Sequence, residues 1–478
     1  MDSSYRTSVD WQAEPALAPW AQPPEPAPLP EPIEPPLDRE TAMPRGFAEW
    51  FAVSQTLLPA LLFLPGSQAY RLPIRVGAYG ISLAAFVLWW FDRGGKRAAR
   101  HPAERWLVFV LLCLVLMIAH PLTNSLLSGI AQTLLYFSIL CPLFWAPAYV
   151  TTRRQLVRVL GILLVCNGIN SMVGVAQVYN PDRFMPPELS SAYSGNPDAL
   201  ASVTFEGPDG RRLIRPPGLF DTPGAVCGAG TIAALLGLIF CFEPIATWKR
   251  AIALAFSLAG ISAVYLSHVR ASLVTALAMM AAYLALLALQ NERKRLATFA
   301  GFATAIVVVG LSLSTVLGGQ SIQERVSSLF EEEPTQVYYQ ARGQQLEYAF
   351  SNLIVNYPLG AGLARWGMMR GYFGNAANLD SSEVWAEVQP NAWILDGGVF
   401  LLLLYSLALV MSAFYEMTLI RTLAQREDQL WAAAVAAANV GTLALVFTFV
   451  PFGTNIGMQY WFLEGVLHGA MANRPRKR

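Results

Sequence analysis

Hydrophobic positions in this chain come in long blocks rather than in alternating or one-sided patterns. Apolar runs recur near 49–66, 72–91, 106–122, 125–149, 156–178, 218–242, 250–267, 271–290, 296–317, 391–414, 431–451 and 455–472. A helix needs roughly 20 such residues to cross the hydrocarbon core of a bilayer. The pattern therefore predicts an all-α, polytopic transmembrane helical bundle of about 12 spans. Two polar intervals, 179–217 and 318–390, interrupt the blocks, and the second predicts a long loop on one face. Three regions follow: a proline-rich disordered arm at 1–48, a membrane domain at 49–472 and a basic tail at 473–478.

The short loops set an orientation. Arg93, Lys96, Arg97, Arg100 and Arg105 follow the second run, Arg153 and Arg154 the fourth, and Lys249 and Arg250 the sixth. Arg293, Lys294 and Arg295 follow the eighth, Arg421 and Arg426 the tenth, and Arg474, Arg476, Lys477 and Arg478 close the chain. By the positive-inside rule these loops face the cytoplasm, which puts both termini inside. The intervals 179–217 and 318–390, with tight turns near Ser67, Thr123, His268–Arg270 and Gly453, then face outward. Arg71, on that outer side, runs against the rule.

Composition agrees with the pattern. Of 478 residues, 54% are hydrophobic and only 14% charged, with a mean hydropathy of +0.41; soluble domains carry about 25% charged residues. The net charge of +1 says nothing about partners, and nucleic acid is not expected among them. All five cysteines (Cys113, Cys141, Cys166, Cys227 and Cys241) fall in apolar runs, as packing residues do. With four histidines and no CxxC or HExxH spacing, neither a protein-built metal centre nor a cofactor is expected. The first forty-odd residues, with Pro23-Pro24-Glu25-Pro26 and Glu34-Pro35-Pro36, predict a solvated arm without a cleavable signal.

The outer intervals hold the candidate chemistry. Arg211, Arg212 and Arg215 precede Pro216-Pro217-Gly218-Leu219-Phe220-Asp221-Thr222-Pro223-Gly224, and arginines on that face ask for an anionic partner. Lipid headgroups or the loop's own carboxylates are the alternative partners of this cluster. Arg270, in Ser267-His268-Val269-Arg270, sits at a membrane edge, where a held charge points to function; snorkelling to headgroups is the alternative. Arg342 opens a predicted helix through Gln344, Glu347, Tyr348 and Phe350, which Pro358, Gly360 and Gly362 end; a salt bridge within the loop is the alternative role for Arg342. Glu347 reads as the structural partner of an arginine, and Asp396 as a buried acid paired with a nearby polar group.

Several of these segments, in order, resemble the O-antigen ligase and O-antigen polymerase superfamily of bacterial envelope glycosyltransferases. Arg215-Pro216-Pro217-Gly218-Leu219-Phe220-Asp221-Thr222-Pro223 is similar to the family's arginine–glycine–aromatic–proline turn entering a span. Ser267-His268-Val269-Arg270-Ala271-Ser272 is similar to its serine–arginine signature, with two residues inserted. The stretch from Arg342 to Pro358-Leu359-Gly360-Ala361-Gly362 is similar to its arginine-led helix and turn, and Asn391-Ala392-Trp393-Ile394-Leu395-Asp396-Gly397-Gly398 to its asparagine-to-acid-glycine segment. The likeness runs from about residue 155 to 415. Ligases of this family place a histidine just before that asparagine; here Gln389 and Pro390 stand there, which leaves the polymerase reading ahead.

The resemblance implies a bacterial inner-membrane enzyme with its active face in the periplasm. Its substrate would be an oligosaccharide on undecaprenyl diphosphate, and its partners membrane lipid, a flippase and chain-length or export proteins. Guanidinium groups suit departure of a diphosphate, because they stay charged and grip phosphate oxygens in pairs. Arg215, Arg270 and Arg342 are the expected catalytic cations, with His268, Glu383 and Glu387 as candidate proton acceptors for the attacking hydroxyl. Arg211, Arg212, Arg365, Glu383 and Glu387 are the expected substrate-binding residues. Ligase-type transfer to another acceptor and a non-enzymatic transporter of the same lipid are the competing functions.

Overall fold

In the computed structural model, residues 46–64, 66–92, 100–189, 197–331, 333–375 and 384–477 are described. The expected arm lies outside the described residues up to Arg45, as do Arg93, Lys96, Arg97, Glu383 and Arg478. Every predicted span is occupied by helix. The helices are α1 (Phe47–Ala60), α2 (Arg71–Asp92), α3 (Glu104–Met117), α4 (Leu126–Leu140), α5 (Pro142–Tyr149), α6 (Arg153–Tyr179), α7 (Val226–Cys241), α8 (Thr247–Leu266), α9 (Arg270–Leu289) and α10 (Arg293–Gly318). The long polar interval is itself mostly helical: α11 (Gln320–Glu331), α12 (residues 334–356) and α13 (Gly367–Phe373). It leads into α14 (Gln389–Thr422), α15 (Arg426–Leu445) and α16 (Asn455–Met471).

Among the described residues, seven helical segments are long and apolar enough to cross a membrane, and Phe47–Phe63 and Val226–Cys241 form shorter apolar helices. The chain is thus a multi-pass membrane protein. Several spans are shorter than expected. The run at 218–242 begins its helix only at Val226, that at 106–122 stops at Met117, and that at 431–451 stops at Leu445. Pro142 divides the run at 125–149 into α4 and α5. The outer faces stay apolar: Phe400, Leu403, Leu407, Val410 and Phe414 form one exposed stripe along α14 at helical spacing, as lipid contact requires. By contrast α15 is buried almost all round, from Asp428 to Asn439, which marks it as a central helix.

The interval 179–217 is not only loop. Thr204–Glu206 (β1) pairs antiparallel with Arg212–Ile214 (β2), with Thr204 opposite Ile214 and Glu206 opposite Arg212. Gly210, at φ 74°, makes the turn. Gly319, at φ 81°, lets the backbone at Gly207–Pro208 come so close that a Cβ there would lie 2.9 Å from the Pro208 nitrogen. The Ser321 hydroxyl also donates to the Glu206 carbonyl at 2.8 Å. The hairpin is thereby pinned to the start of α11.

One span is broken. Gly397 and Gly398 leave helical geometry inside α14, Gly398 at φ 63°. The freed backbone groups are satisfied by the Pro358–Gly362 turn: the Ala361 amide donates to the Leu395 carbonyl at 2.7 Å, and the Val399 amide to the Pro358 carbonyl at 3.0 Å. A Cβ on Gly398 would fall 2.1 Å from the Pro358 oxygen, so only glycine fits. The same turn continues into the α3–α4 connection, where the Leu363 amide donates to Thr123 Oγ1 and the Asn124 amide to the Leu363 carbonyl, both at 3.1 Å. Asp396, just before the break, is fully buried and accepts from Tyr136 Oη (2.7 Å), Trp366 Nε1 (2.9 Å) and Gln132 Nε2 (3.3 Å). It pairs with polar groups, as expected.

Candidate functional site

The site lies at the end of the bundle away from the basic loops. Its floor is the loop from Arg215 to Gly224, closed by the Gly224 amide donating to the Arg215 carbonyl at 3.1 Å. A loop buried at a bundle end needs partners for its backbone, and α6 supplies them with two amide side chains. Gln177 accepts from the Gly218 amide and donates to the Gly218 carbonyl, both at 2.8 Å, while Asn170 Oδ1 accepts from the Leu219 amide at 2.7 Å. Gly218, at φ 67°, is required here: a Cβ would lie 2.1 Å from Asn170 Oδ1.

Asp221 anchors the far side of this loop. It is buried and pairs with both Arg71 and Arg75 of α2, the latter at 2.7 Å. That explains the exception to the charge rule at Arg71: its partner is an acid of the same end, about 150 residues away in sequence. Arg75 also reaches the Tyr372 hydroxyl at 3.4 Å, bringing α13 to the same edge.

Above the floor stands His268. Residues 267–269 turn sharply between α8 and α9, with His268 at φ 55°. The ring is buried against Phe205 of β1, with centroids 4.1 Å apart, and the Arg325 Nε donates to the His268 carbonyl at 3.4 Å. Burial, reinforced by the Arg215 and Arg325 guanidinium groups, pushes the His268 pKa down to about 4. The imidazole is therefore neutral at physiological pH, and its Nε2 has no hydrogen-bond partner among the described residues. Arg270 opens α9, so its charge adds to the positive end of that helix's dipole. The Arg215 and Arg325 guanidinium groups thus act on one neutral imidazole, two residues before Arg270.

Arg342 approaches from α12. It sits inside the helix rather than opening it, within a π turn at Tyr339–Gly343; such turns recur at functional positions. Its Nε donates to the Thr448 carbonyl at 3.2 Å, and it pairs with Glu387. Helices α9 and α15 pack antiparallel: Gln290 meets Gln429 at one end, and Gly441 lies against Met279 and Thr275 further along. At about 1.5 Å of rise per residue, Thr448 and Arg270 reach the same level, so Arg342 docks beside the helix that Arg270 begins.

Glu387 holds Arg342. Burial opposes its ionisation, but hydrogen bonds from Trp385 (3.0 Å), Gln345 (2.8 Å) and Arg342, with the arginine charge, outweigh that and hold its carboxyl below the usual range. Both of its oxygens are thereby engaged by donors. Glu347, expected to pair with an arginine, accepts from the Tyr339 hydroxyl among the described residues. Glu383, the other acid candidate, lies outside the described residues.

The remaining expected binding residues are not gathered at His268. Arg211 is 78% exposed and pairs with Asp209 of its own hairpin turn at 3.3 Å, the alternative reading of that arginine. Arg212 is exposed on β2 opposite Glu206. Arg365 donates to the Leu122 carbonyl at 3.4 Å and Arg370 to the Arg365 carbonyl at 3.1 Å, beside the α3–α4 connection. Sequence reading set Arg325 in the long polar interval without giving it a role, and missed Phe205, Arg75 and the tie between Arg71 and Asp221. Arg325, on an amphipathic helix within that interval, carried one signal that could have marked it: an arginine against the charge trend. Among the described residues, no cluster of histidine, cysteine or acidic side chains suits a metal ion. Compared with known proteins, the chain matches no family model, and no curated protein matches it either.

Proposed function

We propose that this protein polymerises undecaprenyl-diphosphate-linked oligosaccharide repeat units into a cell-surface polysaccharide, working at the end of the bundle that faces the periplasm of a bacterial inner membrane. One observation carries the reading: the Arg215 and Arg325 guanidinium groups bear on His268, two residues before Arg270, with Arg342 docked at about the same level, at the end where the positive-inside rule disfavours arginine. In the reaction a sugar hydroxyl attacks the anomeric carbon of the donor, the bond to the diphosphate oxygen breaks, and undecaprenyl diphosphate leaves. Fixed guanidinium groups aimed at the leaving diphosphate stabilise charge that grows as the bond breaks. Neutral His268 accepts the hydroxyl proton.

The polymerase reading is favoured over the ligase by what fills the family's histidine position. Gln389 is fully buried and structural: its amide donates to the Val446 carbonyl at 3.0 Å and its Oε1 accepts from the Phe452 amide at 2.8 Å. The transporter reading has one observation behind it, the broken α14, since discontinuous helices mark many transporter sites. That break is filled by the Pro358–Gly362 turn instead of lining a cavity.

Purified protein given a lipid-diphosphate-linked oligosaccharide, with product length followed by gel, tests the proposal. A ladder of longer lipid-linked glycans is expected. Transfer seen only after a distinct acceptor is added would assign a ligase, and no transfer under either condition would favour a transporter.

A further inference from the structure

A second polar centre lies at the other end of the molecule, inside the bundle. Glu416 of α14 and Glu464 of α16 are both buried, at 4% and 0% exposure. One amide nitrogen, Asn439 Nδ2 of α15, donates to Glu416 Oε1 at 2.8 Å and to Glu464 Oε1 at 3.1 Å. A donor shared in this way makes the two carboxyls close neighbours. Two carboxylates sharing one buried site cannot both stay ionised, because each disfavours the charge on the other, so one of them holds a proton. Among the described residues, no arginine or lysine pairs with either acid. The Asn439 Oδ1, in a fully buried side chain, has no hydrogen-bond partner among the described residues.

The neighbouring side chains do not supply a balancing charge. His101 accepts from the Ala103 amide at Nδ1 (3.2 Å), so its proton sits on Nε2, 3.3 Å from Glu464 Oε2. Burial pushes the His101 pKa down to about 3, leaving the ring neutral. Tyr415 and His468 pack on that ring and share a hydrogen bond of 2.7 Å, and Arg476 reaches the outer side of Tyr415. Tyr460 and Ser412 complete the enclosure. Ionisable groups placed this deep in a membrane protein are expensive unless they do something.

The acids also have a route to the surface. A cavity of about 780 Å³ opens at the basic-loop end, with Phe86, Trp89 and Phe137 on its apolar wall and Arg100 and Glu104 at its polar mouth. His101 lines this cavity on one side and touches Glu464 on the other.

We propose that Glu416 and Glu464 form a buried proton-binding site, loaded and unloaded from the basic-loop end through the cavity beside His101. Two adjacent carboxyls of this kind bind the proton jointly, so it belongs to the pair rather than to either residue. The proposal is independent of the polysaccharide reading.

The test is infrared spectroscopy of the full-length protein in liposomes, comparing wild type with Glu416→Gln and Glu464→Gln, which keep shape and hydrogen-bonding capacity. At neutral pH each difference spectrum is expected to show loss of one carboxylic-acid C=O band, and in wild type that band shifts on transfer to D2O. His101→Phe retains the band but slows its exchange. Difference spectra showing only loss of ionised carboxylate would overturn the proton site, even if one variant folds poorly, because the other and the wild-type exchange remain readable. A band that vanishes when sodium replaces potassium would assign a metal cation instead, and exchange unchanged in His101→Phe would overturn the route.

Discussion

The two ends of this bundle set their arginines in different surroundings. At the basic-loop end the guanidinium groups are matched with acids from neighbouring connections: Arg153 with Glu427 (2.6 Å) and Asp428, Arg474 with Asp428, Arg426 with Glu292, and Arg295 with Glu243. These pairs staple loops together, and the acids Asp428 and Glu292 among them are buried. At the other end Arg71 and Arg75 share buried Asp221, Arg342 meets Glu387, and Arg215 and Arg325 bear on a neutral, buried histidine. Both ends match arginines with acids; the difference is the buried imidazole set among the arginines at one end only, and the proposed function uses that feature.

Substitutions that should act on one end only can break that comparison. The largest effect is expected on activity: Arg270→Ala and Arg342→Ala should each lower chain elongation by about 10²-fold or more, the usual loss for one electrostatic stabiliser, with the protein still in the membrane by immunoblot. Normal elongation in either would remove that arginine from the mechanism. Next comes Asp221→Asn, which strands Arg71 and Arg75 in a nearly buried site. Removing one partner of a buried pair costs about 3–5 kcal/mol, so thermal unfolding in detergent should move well down. An unchanged transition would mean that water, not Asp221, balances those arginines.

Gly398→Ala should cost about 1–3 kcal/mol from its left-handed backbone alone, plus the clash with Pro358, again read by thermal unfolding. Smaller is the pH effect of His268. Its folded pKa lies below the ordinary value of 6.5, so the unfolded chain takes up a proton first. Stability is complete above about 6.5 and declines as the pH falls toward 4. His101 declines over an overlapping window, so the His268 share is the part that His268→Gln removes. Smallest on elongation is Arg153→Gln, at the paired end: it removes one of the two cations that meet buried Asp428, so thermal stability should fall while elongation stays intact.

Much of this organisation was legible in the sequence because it is written locally. The apolar blocks located every long helix, Pro358 with Gly360 and Gly362 marked the end of α12, and Ser267-His268-Val269 marked the tight turn before Arg270. The hairpin at 204–214 had a local signal too, Pro208-Asp209-Gly210 between apolar residues, a turn by the chemistry of its residues. So did the break in α14, where Gly397-Gly398 interrupts an apolar run. Other features were not legible. Asp221 meets Arg71 and Arg75, and His101 meets Glu464, across long stretches of chain. No spacing rule links such residues; only packing of the helices brings them together. The role of Glu387 was hidden for the same reason, since Gln345 and Arg342 reach it from another helix.

The measurement that tests the account most directly is one elongation assay run side by side. Purified wild type, Arg270→Ala and Arg153→Gln would each be given the same lipid-diphosphate-linked oligosaccharide and their products sized by gel. The account predicts a ladder from wild type and Arg153→Gln and none from Arg270→Ala. A ladder from all three, or its loss in Arg153→Gln with Arg270→Ala unaffected, would contradict it.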